Sequence, residues 1–244
     1  MVAGGRYTLE IAASSLESAL AAQVGGADRV ELCENLGEGG TTPSYGTLAV
    51  ARDRLRIPLY VLIRPRGGDF VYSPAEWEVM RRDVELCVRL GCDGVVLGAL
   101  DARGLVDVAG CTGLIQTAGP LGVTFHRAFD CVADPVGALE AVIGLGCERL
   151  LTSGQRDSAP AGAAAITGFV AQSAGRLAVM AGAGITPDTL EALAERAGVS
   201  EFHASAKLRL PGVGGPAPTG LEPGFWRTDA DMVRQLRERL DSLA

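Results

Sequence analysis

The chain has 244 residues, of which 48% are hydrophobic and 21% charged, and carries a net charge of −7. That is enough apolar material for one large core, and the acidic balance, with no basic run or aromatic-basic stripe to reverse it, excludes a general nucleic-acid binder. No apolar stretch reaches the ~18 residues that span a bilayer, and Met1 to Arg6 lacks the long apolar region of a secretory signal, so a soluble cytoplasmic protein without membrane partners is expected.

In chain order, short apolar runs alternate with Ala/Leu-rich stretches of helical length. Strands are predicted at Thr8–Ala12, Arg29–Cys33, Leu59–Arg64, Gly94–Gly98, Gly122–His126, Arg149–Ser153, Ala178–Ala181 and Glu201–Ser205. Helices are predicted between them, for example over Ser15–Val24, Ser73–Leu90, Pro135–Leu145, Ala163–Ala174 and Pro187–Ala197. Ser73-Pro74-Ala75-Glu76 and Thr186-Pro187-Asp188 are start signals, a cap residue ahead of proline and an acid in the first turn. A small-residue turn precedes three of the strands, at Gly25-Gly26-Ala27, Gly91-Cys92 and Gly146-Cys147, which makes Cys92 and Cys147 buried packing residues. Eight βα units with no break in composition predict a single-domain (β/α)8 TIM barrel, with a doubly wound sheet as the alternative. From Lys207 to Gly224 the chain is rich in Gly and Pro and aperiodic, which predicts a flexible loop; a last helix follows from about Thr228 to Leu240, capped by Thr228.

Side chains alternate across a strand, so the apolar positions that meet the helices leave Glu10, Glu31, Arg64, His126 and His203 facing the barrel interior. Unpaired charges there are expensive, so these groups pair with one another or with a ligand. Arg29 and Glu201 share this parity at strand starts, where a structural role is expected. Glu10, Glu31, Asp130 and His126 are the candidate acid/base groups. Arg64, Arg66 and Arg127, at strand ends, suit a small phosphate or carboxylate. Ala181-Gly182-Ala183-Gly184 ends the seventh strand ahead of a helix start, and Gly182 and Gly184 with Ser153, Ser205 and His203 extend the candidate anion site. The purely structural alternative is a network of internal ion pairs that closes the barrel. A Schiff-base site is disfavoured because Lys207, the sole lysine, borders the flexible stretch. No serine sits in a nucleophile elbow, and two separated histidines barely suffice for zinc.

The six cysteines, at 33, 87, 92, 111, 131 and 147, form no CxxC pair and read as free thiols of a reducing compartment. Leu9-Glu10-Ile11, Gly26 to Cys33, Gly39-Gly40-Thr41-Thr42-Pro43-Ser44, Ile63 to Phe70, Thr124 to Asp130, Leu151-Thr152-Ser153-Gly154 and Met180 to Gly184 are collinear and together resemble the CutC family of copper homeostasis proteins over about residues 8–207. The resemblance implies a TIM barrel, a cytoplasmic location, a role in copper handling and assembly into homodimers or higher homo-oligomers. It makes Cys33 the candidate Cu(I) ligand. Ala12 and Ala13 stand where relatives often carry a cysteine on the first strand, and Val71 where some carry another. Cu(I) prefers at least two soft ligands, and Cys131 is the candidate for the second. Two readings result: copper binding through Cys33, or a barrel enzyme acting by acid/base chemistry on a small phosphorylated or carboxylated compound at the C-terminal ends of the strands.

Overall fold

Eight parallel strands close on themselves in chain order: β1 (Thr8–Ala13), β2 (Arg29–Leu32), β3 (Leu59–Leu62), β4 (Gly94–Leu97), β5 (Gly122–Phe125), β6 (Arg149–Thr152), β7 (Ala178–Gly182) and β8 (Glu201–Ala204). The computed structural model describes residues 6–212 and 224–243. Seven helices cover the connections: α1 (Leu16–Val24), α2 (Tyr45–Arg54), α3 (Pro74–Leu90), α4 (Val108–Ala118), α5 (Pro135–Gly144), α6 (Ala163–Ser173) and α7 (Pro187–Ala197). α8 (Ala230–Ser242) packs against α7 and α1. This is a TIM barrel, and β1 closes it by pairing with β8. Among the described residues no helix is long and apolar enough to cross a membrane.

The local signals act as their chemistry requires. Ser73 and Glu76 form a reciprocal capping box with Pro74 in the first turn of α3. Gly91 ends the same helix at φ +68°, where a β-carbon is strained, and the Cys92 N–H then closes on Cys87 O at 3.0 Å. Cys92 and Cys147 are buried.

Alternation along the strands produces two apolar cores. Leu9, Ile11, Val30, Leu32, Val61, Phe125 and Phe202 join the helices in the main one. Inside the barrel, Cys33, Tyr60, Leu62 and Val96 form a second, smaller plug. The plug fills the β2–β4 side of the interior and leaves the polar side chains the rest.

Two expectations change. Of the predicted loop 207–224, Lys207–Leu210 is a strand, β9, paired antiparallel with β10 (Phe225–Thr228); residues 213–223 lie outside the described residues. The hairpin was hidden because its four-residue arms are separated by a Gly/Pro stretch that breaks any period. Thr228 belongs to β10, where its hydroxyl donates to Ser205 O at 3.1 Å, and Asp229 caps α8 instead.

Candidate active site

The parallel register sets Glu10 of β1 beside Arg29 of β2 and His203 of β8. Arg29 Nε donates to one Glu10 oxygen, and its Nη2 reaches Glu201 at 2.8 Å. Glu201 also accepts from Arg149 Nε at 2.5 Å, and the Arg29 and Arg149 guanidiniums lie against the Tyr60 ring. These groups make an ion-paired layer across the strand starts, so Arg29 and Glu201 have the structural role expected of them.

The other Glu10 oxygen accepts from His203 Nδ1 at 2.7 Å, and His203 Nε2 stands 3.6 Å from Glu31 Oε2. A chain of charge therefore runs from Arg29 through Glu10 and His203 to Glu31. Burial resists ionisation of Glu10, but Arg29 and His203 outweigh it and hold its carboxyl well below the usual range. Burial raises Glu31 to about 7, with the Glu10 charge adding to the rise and His203 and Arg29 opposing it. Burial works against a charged His203, yet Glu31 and Glu10 raise it above its ordinary value. Glu31 is thus a carboxyl that can take or give a proton near neutrality, next to an imidazole that can stabilise either state.

Glu31 and His203 open into a cavity of about 730 Å³ at the C-terminal ends of the strands. Arg64, His126 and Arg127 also line it. Much of the remaining wall is apolar and includes Leu36, Leu62, Phe70, Leu151 and Ile185. Such a mixture, a mostly greasy hollow with a few convergent polar groups, is what small-molecule sites share.

His126 follows β5 directly. Its Nδ1 accepts the Ala128 N–H at 3.2 Å, which puts the proton of the neutral ring on Nε2. Burial and the neighbouring Arg64 charge push the ring down to about 3, so it stays neutral. Gly98 makes room for it: a β-carbon there would lie 2.5 Å from Nδ1. The Arg64 terminal nitrogens hold loops, donating to Glu38 O, Gly40 O and Gly68 O, each at 2.8 Å. His126 Nε2 and Arg64 Nε are buried with no partner, and Phe70 lies against both side chains, its ring 5.1 Å from the imidazole and 4.9 Å from the guanidinium carbon. Leaving such groups unpaired costs about 1–3 kcal/mol each, and both nitrogens lie beneath the cavity surface, where the Phe70 ring packs on their side chains.

Other candidates are tied up by local partners, although Asp130 lines the cavity. Asp130 accepts from Thr152 Oγ1 (2.5 Å), Ser153 N (3.0 Å), Ser153 Oγ (2.9 Å), Gln155 N (3.1 Å) and Arg127 Nε (2.8 Å). A carboxylate so fully donated to ties the end of β5 to the end of β6. Ser153 joins that knot and does not line the cavity, whereas Arg127 does. Arg66 turns to Glu76 at 2.5 Å and Asp69 at 3.0 Å, away from the cavity. Gly184 and Ser205 are on the wall; Gly182 is behind it, where a β-carbon would come within 3.3 Å of His203 Cβ. Lys207, set aside from the sequence, lines the cavity too.

Cys33 faces inward but is wholly buried in the apolar plug. Its sulfur lies 3.7 Å from Ala13 O, and burial, with Glu31 and Glu34 nearby, raises the thiol well above its ordinary value. Its apolar neighbours, Tyr60, Leu62, Val96 and Leu36, supply no second soft ligand, and Cys131 is exposed on the cavity rim. Cu(I), as cargo, does not fit this donor set. Among the described residues one group of three could hold a cation, Glu10, Glu31 and His203, and its oxygen and nitrogen donors are not those Cu(I) selects.

Comparison with known proteins places the chain. The CutC family model matches residues 7–208. A CutC family protein of Xanthomonas axonopodis pv. citri is 58% identical over 235 residues, covering 95% of this chain and 98% of the relative. One from Xylella fastidiosa is 61% identical, covering 93% and 86%. The solved structure of a CutC protein from Streptococcus agalactiae, whose given name ties it provisionally to copper homeostasis, superposes with a TM-score of 0.78 at 32% identity, covering 82% of this chain and 98% of that one.

Proposed function

The chain belongs to the CutC family, and from that footing we propose that it is a cytoplasmic barrel enzyme that moves a proton on a small anionic carbonyl compound. The observation that carries this reading is the Glu31–His203 contact at the wall of a cavity that Arg64, His126 and Arg127 also line. Glu31 takes the proton from the carbon beside the carbonyl, and His203, backed by Glu10 and Arg29, stabilises the ionised form of the base. His126, as a neutral ring, and Arg64, as a fixed cation, line the same cavity and set the polarity around the ligand's carbonyl group. Arg127 offers a cation for the phosphate or carboxylate of the ligand. The location is supported by six unpaired cysteines, which suit a reducing compartment.

The test is deuterium exchange. The protein is incubated in heavy water with pyruvate, 2-oxobutyrate, glycolaldehyde phosphate and dihydroxyacetone phosphate, and loss of the α-proton signal is followed by NMR. At least one compound is expected to exchange about 100-fold faster than in buffer and to raise the melting temperature. No exchange and no stabilisation with any of them overturns the reading. A copper role is the second reading, carried by the name of the Streptococcus agalactiae relative. The apolar surroundings of Cys33 count against it here.

A further inference from the structure

Lys207 is the single lysine among 22 basic side chains, so 21 are arginine. A position that needs only positive charge would, by this chain's own usage, hold arginine. Nor does the contact Lys207 makes explain it. Its Nζ rests 4.8 Å from the centre of the Trp226 ring, and a guanidinium stacks on indole at least as well as an ammonium does. Among the described residues no carboxylate lies within ion-pair distance of it. What lysine can do and arginine cannot is shed a proton and attack carbon as a neutral amine.

The backbone places this residue with care. Ala206, immediately before it, has φ +45°, a left-handed conformation that costs a residue with a β-carbon about 1 kcal/mol or more. The turn is held by Thr228 Oγ1 donating to Ser205 O (3.1 Å) and by Asp229 N donating to Ala206 O (2.8 Å). The strained step turns the chain from β8 into β9 and sets Lys207 on the cavity wall with Glu31, His203 and Ser205.

We propose that Lys207 forms a Schiff base with the carbonyl carbon of the anionic compound bound in this cavity. The inference deepens the proposed function and rests on it for the ligand class. In the step, the ammonium first gives one proton to water. The neutral amine then forms a C–N bond to the carbonyl carbon, the C=O bond breaks, and the oxygen leaves as water with the two remaining amine hydrogens. The imine, once protonated, draws electrons from the adjacent C–H bond and so eases the removal of its proton by Glu31. Nothing is oxidised or reduced.

The test traps the imine. The full chain is incubated with pyruvate, and separately with dihydroxyacetone phosphate, in the presence of sodium cyanoborohydride, then digested and mapped by mass spectrometry. With one lysine present, a lysine adduct can only be at 207, and the N-terminal amine serves as the control for non-specific reaction. At least one compound is expected to label Lys207 tenfold or more above the N-terminus. Lys207→Arg is expected to abolish that label with an unchanged melting temperature and to cut deuterium exchange at least tenfold. Deuterium exchange by the wild type without any Lys207 label, or exchange fully retained in Lys207→Arg, overturns the Schiff base and leaves the proton-transfer reading standing. A Lys207 label without exchange supports the Schiff base and removes Glu31 as the base. Neither label nor exchange overturns both.

Discussion

Glu31→Gln is expected to slow deuterium exchange by about 10²–10³-fold while leaving the fold intact. The amide keeps the size of the carboxyl but cannot accept the proton. The same substitution has a second, independent signature. In the folded protein Glu31 holds its proton up to about pH 7, whereas the ordinary value is 4.5. Between those limits Glu31 binds more proton in the native state than in the unfolded chain, so its own contribution to stability is full below pH 4.5 and is lost as the pH rises through about 7. Glutamine does not titrate, so the variant's stability is expected to vary less over that window. Urea denaturation at pH 4.5, 5.5, 6.5 and 7.5 measures the slope. Parallel curves for wild type and variant contradict the assignment of a raised carboxyl to Glu31.

Arg29→Met is expected to be the most damaging single change in the barrel, at about 3–5 kcal/mol. Methionine removes the cation that one buried Glu10 oxygen and one Glu201 oxygen share, and Glu10 has no exposure through which water could compensate. The charge left behind, more than the lost attraction, sets the magnitude. Domains are held by only about 5–15 kcal/mol in total, so the variant is expected to be marginal or unfolded at 37 °C. Glu10→Gln placed on top of Arg29→Met removes the orphaned charge and is expected to recover more than half of the loss. Chemical denaturation of the single and double variants decides this; a loss under about 1 kcal/mol for Arg29→Met, within the range of exposed pairs, contradicts the account.

The barrel was legible because each βα unit carries its own punctuation. Gly91 marks the end of a helix by backbone conformation, Ser73 and Thr186 mark starts by hydrogen bonding, and the apolar alternation in Thr8–Ala13 states which face meets helices. Parity also put Glu10, Glu31 and His203 on one side correctly, and the register brings these three together. Parity says which way a side chain leaves its strand and not how far around the barrel its partner stands. Cys33 therefore shares the inward parity of Glu31 but is sealed in the apolar plug formed with Tyr60, Leu62 and Val96, while Glu31 borders open space. The same limit applies past the strand ends. Arg64, Arg66 and Arg127 look alike as arginines in loops, yet one anchors three carbonyls, one pairs outward with Glu76 and Asp69, and one bridges Asp130 and Ser153 at the cavity. Those choices depend on which carbonyls and carboxylates neighbouring loops present, and no local pattern records that. Lys207 reads as loop for a related reason: its strand exists only through pairing with Phe225–Thr228, far along the chain.

Burial holds the Glu31 proton near neutrality beside His203 at the wall of the cavity. Titration of the carboxyl carbons by NMR in protein labelled with 13C-glutamate, with Glu31→Gln to assign the signal, measures it directly. The account predicts that the Glu31 resonance moves near pH 7 and that the Glu10 resonance, clamped by Arg29, stays in its ionised position throughout the range where the fold persists. A Glu31 resonance that titrates at the ordinary 4.5 would contradict it.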